Sequence, residues 1–117
     1  MNNKITGLCP PSVLVADRFN KGKTEFSRLY IPALEAEARV FMKGAEKYPD
    51  SPDGTPNWHK LWGEDTKNVV CNSALRHLFA IMQGEDEDKE TGLPHAAHVR
   101  ANMSMLIKHY NDTKETK

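Results

Sequence analysis

His95, His98, Asn102 and His109 are spaced by three, four and seven residues, which puts them on one stripe of a helix at about 100° per residue. That stripe adjoins the apolar side of the same segment. Side chains at such a border line clefts between helices, where an imidazole binds a metal or a phosphate or carries a proton. Ordinary amphipathic packing is the alternative for any one of them. Just upstream stand Glu85, Asp88 and Glu90. Clustered carboxylates repel one another unless a cation sits between them, and hard divalent ions such as Mg²⁺ and Mn²⁺ take their oxygens. A tight turn at Thr91-Gly92 would swing these groups back over His95. The bland alternative is a solvated acidic turn.

Arg76 lies nearly opposite the apolar stripe of its own segment, one turn from Asn72, where a guanidinium is free to clamp a phosphate with two parallel bonds. His77 flanks the apolar stripe one turn from Ser73. Lys21, Lys23 and Arg28 form a local basic cluster that would neutralise phosphates or simply solubilise an arm. Gly22-Lys23-Thr24 is not a phosphate-binding loop of the Walker type, because the pattern needs glycine where Asp17 stands and no strand precedes it. Tyr48, Trp58 and Trp62 surround one loop, and their rings would either stack a nucleobase or pin that loop to the core. Glu37 borders the apolar face of its helix beside Gly44, whose missing side chain would allow close helix approach. Glu35, four residues before Arg39, reads as a surface ion pair.

Three helices must position these groups. Pro32 suits a first helical position, and Leu34, Ala38, Phe41, Met42, Ala45 and Tyr48 then share one side of a 3.6-residue period. Pro49 and the run from Asp50 to Pro56 end that helix. A second begins near Glu64-Asp65, turns Cys71, Ala74, Leu75, Leu78, Ile81 and Met82 inward, and ends at about Gln83 with Gly84 as its cap. The third starts at Pro94 and reaches about Asn111, with Val99, Met103, Leu106, Ile107 and Tyr110 inward. No two-residue alternation lasts for a strand. The expected fold is all-α: an irregular arm over residues 1–31, a bundle of three main helices over 32–111, and a fraying tail over 112–117.

The whole chain bounds the answer further. At 117 residues it makes one domain. Sixteen basic and sixteen acidic side chains cancel, which removes the electrostatic argument for binding an extended nucleic acid or a membrane surface. No apolar run is long enough to span a bilayer, and the opening residues lack the apolar segment of a secretory signal. Cys9 and Cys71 are isolated, so neither a zinc cage nor a disulfide framework is expected. These features point to the cytoplasm. Apolar residues with glycine, less tyrosine, make up about 42% of the chain, just below the roughly 45–50% of globular domains. We therefore expect a homo-oligomer to complete the burial and the cleft.

Read in order, Gly44-Ala45-Glu46-Lys47-Tyr48, Asn57-Trp58, Ala74-Leu75-Arg76-His77-Leu78 and the run from Gly84-Glu85 through Asp88, Glu90-Thr91-Gly92-Leu93-Pro94-His95 and His98 to Asn102 resemble a small phage-associated domain. It is the dATP/dGTP diphosphohydrolase N-terminal domain. Phe19-Asn20-Lys21-Gly22-Lys23 is similar to the family's usual opening, and the resemblance covers roughly residues 19–108. It implies divalent-metal-dependent handling of a purine deoxynucleoside triphosphate with release of pyrophosphate. The positions it carries over are Lys47, Tyr48, Asn57, Trp58, Arg76, His77, Glu85, Asp88, His95, His98 and Asn102. The distantly similar MazG-like pyrophosphatases carry an E-E-x-x-E run on a helix, which Glu35 and Glu37 do not make.

The expectation is thus a nucleotide pyrophosphohydrolase. Mg²⁺ or Mn²⁺ on Glu85, Asp88 and one or both of His95 and His98 would activate a water, with the two histidines as the catalytic pair. Arg76, Lys21 and Lys23 would hold phosphates, and Trp58 or Tyr48 would stack the base. The alternative is a non-catalytic phage protein in the host cytoplasm that sequesters a nucleotide immune signal, using the same groups in a pocket shared between subunits. A histidine/aspartate-type phosphohydrolase would need a His-Asp pair, and the chain has none.

Overall fold

The computed structural model describes residues 21–60 and 63–115. A 3₁₀ turn (Phe26–Arg28) leads into helix α1 (Ile31–Lys47). A second 3₁₀ turn (Asn57–His59) precedes helix α2 (Thr66–Met82), and helix α3 (His95–Glu115) follows. The described residues contain no strand, only an isolated antiparallel bridge between Glu87 and Pro94. The protein is all-α with three main helices, as its periodicity predicts. Cys9, Phe19, Asn20 and Trp62 lie outside the described residues, as does the arm up to residue 20.

The helix ends follow from single residues. Pro32 occupies the first turn of α1, where its missing N–H has no intrahelical acceptor to lose. The Thr66 hydroxyl donates to the Gly63 carbonyl at 2.7 Å, at the start of α2. Gly84 closes α2 in the left-handed conformation, with φ of 96°. There the Glu85 N–H reaches the Ala80 carbonyl and the Gly84 N–H the Ile81 carbonyl, both at 2.9 Å, so two carbonyls at the helix end are satisfied. α3 runs to Glu115, past the expected end at Asn111. Two contacts extend it: Lys108 Nζ pairs with Asp112 at 2.9 Å, and the Thr113 hydroxyl donates to the His109 and Tyr110 carbonyls.

α3 packs against both α1 and α2, and also carries the Asn57–His59 turn. α2 and α3 are antiparallel, since His77 meets His95 while Ser73, a turn earlier, meets Asn102, two turns later. Their interface buries Val70, Ala74, Ala97 and Ala101 together with Thr66, His95 and Asn102. Alanines let the two backbones close, at roughly 0.8 kcal/mol of burial per methyl. α1 is tied to α3 by a polar contact. The Glu37 carboxylate accepts from Arg100 Nε at 3.2 Å and from the Ser104 hydroxyl.

The apolar stripes face elsewhere than periodicity suggests. Leu34, Ala38, Met42 and Tyr48 of α1 are exposed, as are Cys71, Leu75, Leu78 and Met82 of α2 and Met103, Ile107 and Tyr110 of α3. Phe41, Ala45, Ile81, Val99 and Leu106 are half-buried, and of the expected inward set only Ala74 is fully buried. Periodicity marks a face suited to burial without naming what buries it. Within one chain the helices meet through small and polar residues, and the large apolar side chains are left outside. Gly44 is likewise corrected. A Cβ built there would meet nothing within 4 Å, so this glycine faces open space and makes no close helix contact.

Candidate functional site

The connector between α2 and α3 folds back on itself as the glycines allow. Gly92, with φ of 73°, sits in a turn in which its N–H bonds to the Asp88 carbonyl at 2.7 Å. The Asp88 N–H bonds to the Leu93 carbonyl at 2.8 Å, and the His95 N–H to the Asp86 carbonyl at 2.8 Å. This loop returns Glu85 and Asp88 over the start of α3, where His95 and His98 stand one turn apart. The expected swing of the acidic connector onto His95 is what the chain does.

Five hydrogen bonds organise the cluster. His77 Nδ1 and His95 Nδ1 lie 2.8 Å apart, and His95 Nε2 faces Glu85 Oε2 at 2.7 Å. His98 Nε2 lies 2.8 Å from the Thr91 hydroxyl, which in turn donates to Asp88 Oδ2 at 3.0 Å. The Thr91 N–H also donates to Asp88 Oδ2 at 3.0 Å. The His77 and His98 rings stack, with centroids 4.4 Å apart and planes 7° from parallel. His95 is buried, and His77, His98, Glu85 and Asp88 are half-buried.

Electrostatics follow from this packing. Burial holds the His77 imidazole below its ordinary value, and the neighbouring His98 and His95 push the same way. Burial also lowers His98, with Asp88 pulling against it. The His95 hydrogen bond holds Glu85 below the usual carboxylate value. Burial acts to raise Asp88, but the bonds from the Thr91 N–H and hydroxyl outweigh it and leave its carboxyl lowered. The carboxylates are thus held charged and two of the three imidazoles neutral.

A divalent ion has one compact donor set here. Ligand atoms of His77, Asp88 and His95 all lie within 4.8 Å of one another. Two imidazoles and a carboxylate suit Mn²⁺ better than Mg²⁺, which prefers oxygen throughout. Glu85 takes the other nitrogen of His95, the arrangement by which a carboxylate orients a histidine ligand. Of the expected set of Glu85, Asp88, His95 and His98, Asp88 and His95 fall within this compact group. His77 joins the compact group, while Glu85 and the Thr91-bound His98 flank it.

The cluster opens into a cleft of about 620 Å³ whose lining includes Lys43, Lys47, Tyr48 and Glu90 as well as Ser73 and Arg76. Lys47 Nζ reaches Glu90 across it at 3.7 Å. Of the expected site residues, Lys47, Tyr48, Arg76, His77, Glu85, Asp88, His95 and His98 line this cleft. Asn102 is buried behind it, donating from Nδ2 to the Ser73 hydroxyl at 3.3 Å. Asn57 and Trp58 line a neighbouring cavity instead, and Lys21 and Lys23 are exposed and line neither. Trp58 stacks on Phe41 at 4.5 Å, so it pins its loop to α1. Lys43 and Thr91 were not foreseen. Their signals were present in the sequence: Lys43 is one helical turn from Lys47, and Thr91 follows Asp88 at hydrogen-bonding distance in a turn.

No solved structure matches the chain. A Salmonella phage PMBT28 protein named dATP/dGTP diphosphohydrolase is 33% identical over 90 residues, which is 77% of this chain and 28% of that relative. The chain thus spans under a third of the length of the curated relative it matches. The family model described as dATP/dGTP diphosphohydrolase, N-terminal, matches residues 15–117. With that match covering most of its length, the chain belongs to the dATP/dGTP diphosphohydrolase N-terminal family.

Proposed function

We propose that this cleft binds the phosphate chain of a purine (deoxy)nucleoside triphosphate and hydrolyses it to release pyrophosphate. One observation carries the reading: a cation-binding donor set and three basic side chains line a single cleft. A polyphosphate needs both, because its charge must be met by metal and by hydrogen-bond donors together. The relative's printed name supports the substrate class. The neutral charge balance suits a small nucleotide better than an extended nucleic acid.

Each residue has a physical role in this reading. His77, Asp88 and His95 would hold the divalent ion, which when bound would neutralise phosphate charge and lower the pKa of a water. Arg76 clamps a phosphate through two parallel bonds, and Lys43 and Lys47 add point charges. His98 spends Nε2 on Thr91 and keeps Nδ1 as a lone pair. Its lowered pKa keeps it neutral, as a base for the attacking water must be. The test is pyrophosphate release from dGTP or dATP with Mn²⁺. We expect His98→Ala to lose turnover and retain binding. Undiminished turnover in that variant overturns the assignment, and so does unchanged binding in Arg76→Ala.

Sequestration without hydrolysis is the second reading, and one observation favours it. Glu85 and Asp88 are both committed to hydrogen bonds with His95 and Thr91, so neither of these two carboxylates is free to serve as a base. Nucleotide recovered intact after incubation with Mn²⁺ and heat denaturation would decide for it; altered nucleotide would decide against it.

The reading also includes a homo-oligomer in the cytoplasm. Leu75, Leu78, Phe79 and Met82 form an exposed stripe of α2, with Phe79 55% and Met82 80% exposed, and Met103, Ile107 and Tyr110 form another on α3. Contiguous apolar faces of this kind are interaction sites in soluble proteins, and a second copy is the occupant we propose.

A further inference from the structure

Helix α2 sends Ser73, Arg76, His77 and Ala80 into the cleft, a set whose spacing keeps it on one face of the helix. Ser73 is half-buried there, and its oxygen accepts from Asn102 Nδ2 of α3 at 3.3 Å. The hydroxyl's own hydrogen has no acceptor among the described residues. Thr66, Ser104 and Thr113, the other serine and threonine residues of the helices, all donate theirs. They reach the Gly63 carbonyl, the Glu37 carboxylate and the His109 carbonyl, in that order. A serine inside a helix ordinarily turns its hydroxyl back to the carbonyl one turn earlier. For Ser73 that carbonyl is Val69, and the bond is not made.

Asn102 supplies the reason. It is 7% exposed, and its side chain makes one hydrogen bond among the described residues, the one to Ser73. An amide is costly to bury with partners missing, so an apolar side chain of similar size would fill the same place at less cost. What the amide provides is direction. Its N–H occupies one lone pair of the Ser73 oxygen and leaves the serine hydrogen on the side away from α3, toward the cleft. Arg76, one turn further along α2, brings a cation to the same wall, and Lys43 and Lys47 face it from α1. All four groups are donors, and together they call for an acceptor-rich ligand.

We infer that Ser73 is a ligand-binding residue of this cleft, donating its hydroxyl hydrogen to an anionic oxygen held beside Arg76, and that Asn102 is a positioning residue that aims it. The inference rests on the phosphate reading of the cleft and adds two residues to it, one touching the phosphate chain and one acting through the other.

Ser73→Ala, Asn102→Leu and the double variant separate a binding role from a structural one. Each full chain is titrated by calorimetry with inorganic tripolyphosphate in Mn²⁺, and its melting temperature is measured. Ser73→Ala leaves the buried Asn102 N–H without an acceptor. It is expected to lower the melting temperature and to weaken tripolyphosphate about tenfold, the size of one hydrogen bond to a charged group. Adding Asn102→Leu removes the orphaned amide, so the double variant is expected to recover the melting temperature while its affinity stays about tenfold weak. Asn102→Leu alone is expected to weaken binding with Ser73 still in place, because the hydroxyl then turns back to the Val69 carbonyl. Ser73→Thr keeps a hydroxyl and is expected to keep most of the affinity.

An affinity that recovers along with the melting temperature in the double variant makes both residues structural and overturns the inference. Undiminished binding in Ser73→Ala does the same, and both results leave the phosphate cleft standing, since the wild type still binds. A folded wild type that does not bind tripolyphosphate overturns the cleft reading itself, and the roles of Ser73 and Asn102 with it.

Discussion

His77 and His95 present the same nitrogen to each other, Nδ1 to Nδ1 at 2.8 Å, from antiparallel helices. His95 Nε2 is opposite the Glu85 carboxylate, which favours the tautomer that carries its proton there and offers a lone pair at Nδ1. His77 then supplies the proton between them. If a divalent ion were held here, as proposed above, His77 would have to move its hydrogen to Nε2 and the two nitrogens would have to part slightly so that both lone pairs faced it, with Asp88 beside them.

Mn²⁺ should accordingly raise the melting temperature, by the equivalent of about 2.7 kcal/mol at a hundred times its dissociation constant. His77→Ala, Asp88→Ala and His95→Ala should each remove most of that shift. Under the proposed donor set of His77, Asp88 and His95, Glu85→Gln should weaken binding by roughly 10–100-fold without abolishing it, because Glu85 would orient His95 rather than bind the ion. Calorimetric titration measures all four. A loss in His98→Ala as large as in His77→Ala would mean the donor set is wrongly drawn.

Glu37 and Glu35 sit two residues apart on α1 and should behave oppositely. Glu37 is 15% exposed and holds Arg100 and Ser104 of α3. Glu35 pairs with Arg39 at 2.9 Å in open solvent, as its spacing predicts. Urea unfolding should show Glu37→Gln costing about 1–3 kcal/mol and Glu35→Gln less than about 1 kcal/mol.

Acid should destabilise the metal-free protein well before the carboxylates titrate. His77 and His98 are held below their ordinary value of 6.5 in the folded state. As pH falls through 6.5, the unfolded chain takes up protons that the folded chain declines. Their contribution is complete above 6.5 and fades toward the lowered folded values. Melting temperature in chelator should fall between pH 7.5 and 5.5, and the fall should be shallower in His77→Gln or His98→Gln. Glu85 and Asp88 add a second loss at lower pH, since their folded values lie below the unfolded ones.

Self-association should depend on the outward stripes. Light scattering after gel filtration is expected to give a multiple of the chain mass. Phe79→Glu or Ile107→Glu, both at exposed positions, should shift it toward the monomer while leaving helix content intact. A monomeric wild type would remove the oligomer from the proposed function.

The number, order and approximate limits of the helices were legible in the amino-acid sequence because they depend on local events. Pro32 starts one helix, Gly84 stops another in a conformation that glycine adopts without a Cβ penalty, and apolar residues recur every 3.6 positions between such signals. The return of the acidic connector was legible for the same reason, since Gly92 and Asp88 make their turn within five residues. Two ligand candidates, Asp88 and His95, could be named because the connector is short.

Tertiary packing alone decided the rest. His77 lies eighteen residues from His95, and only the antiparallel pairing of α2 and α3 brings their nitrogens together. The same pairing chose Ala74, Ala97 and Ala101 for the interior and left Leu75, Met82 and Ile107 outside. A hydrophobic period reports that a face gains by leaving water, a property of the helix itself. Which surface meets it depends on the shapes of all three helices at once, and small side chains win where backbones must approach closely enough for two imidazoles to meet.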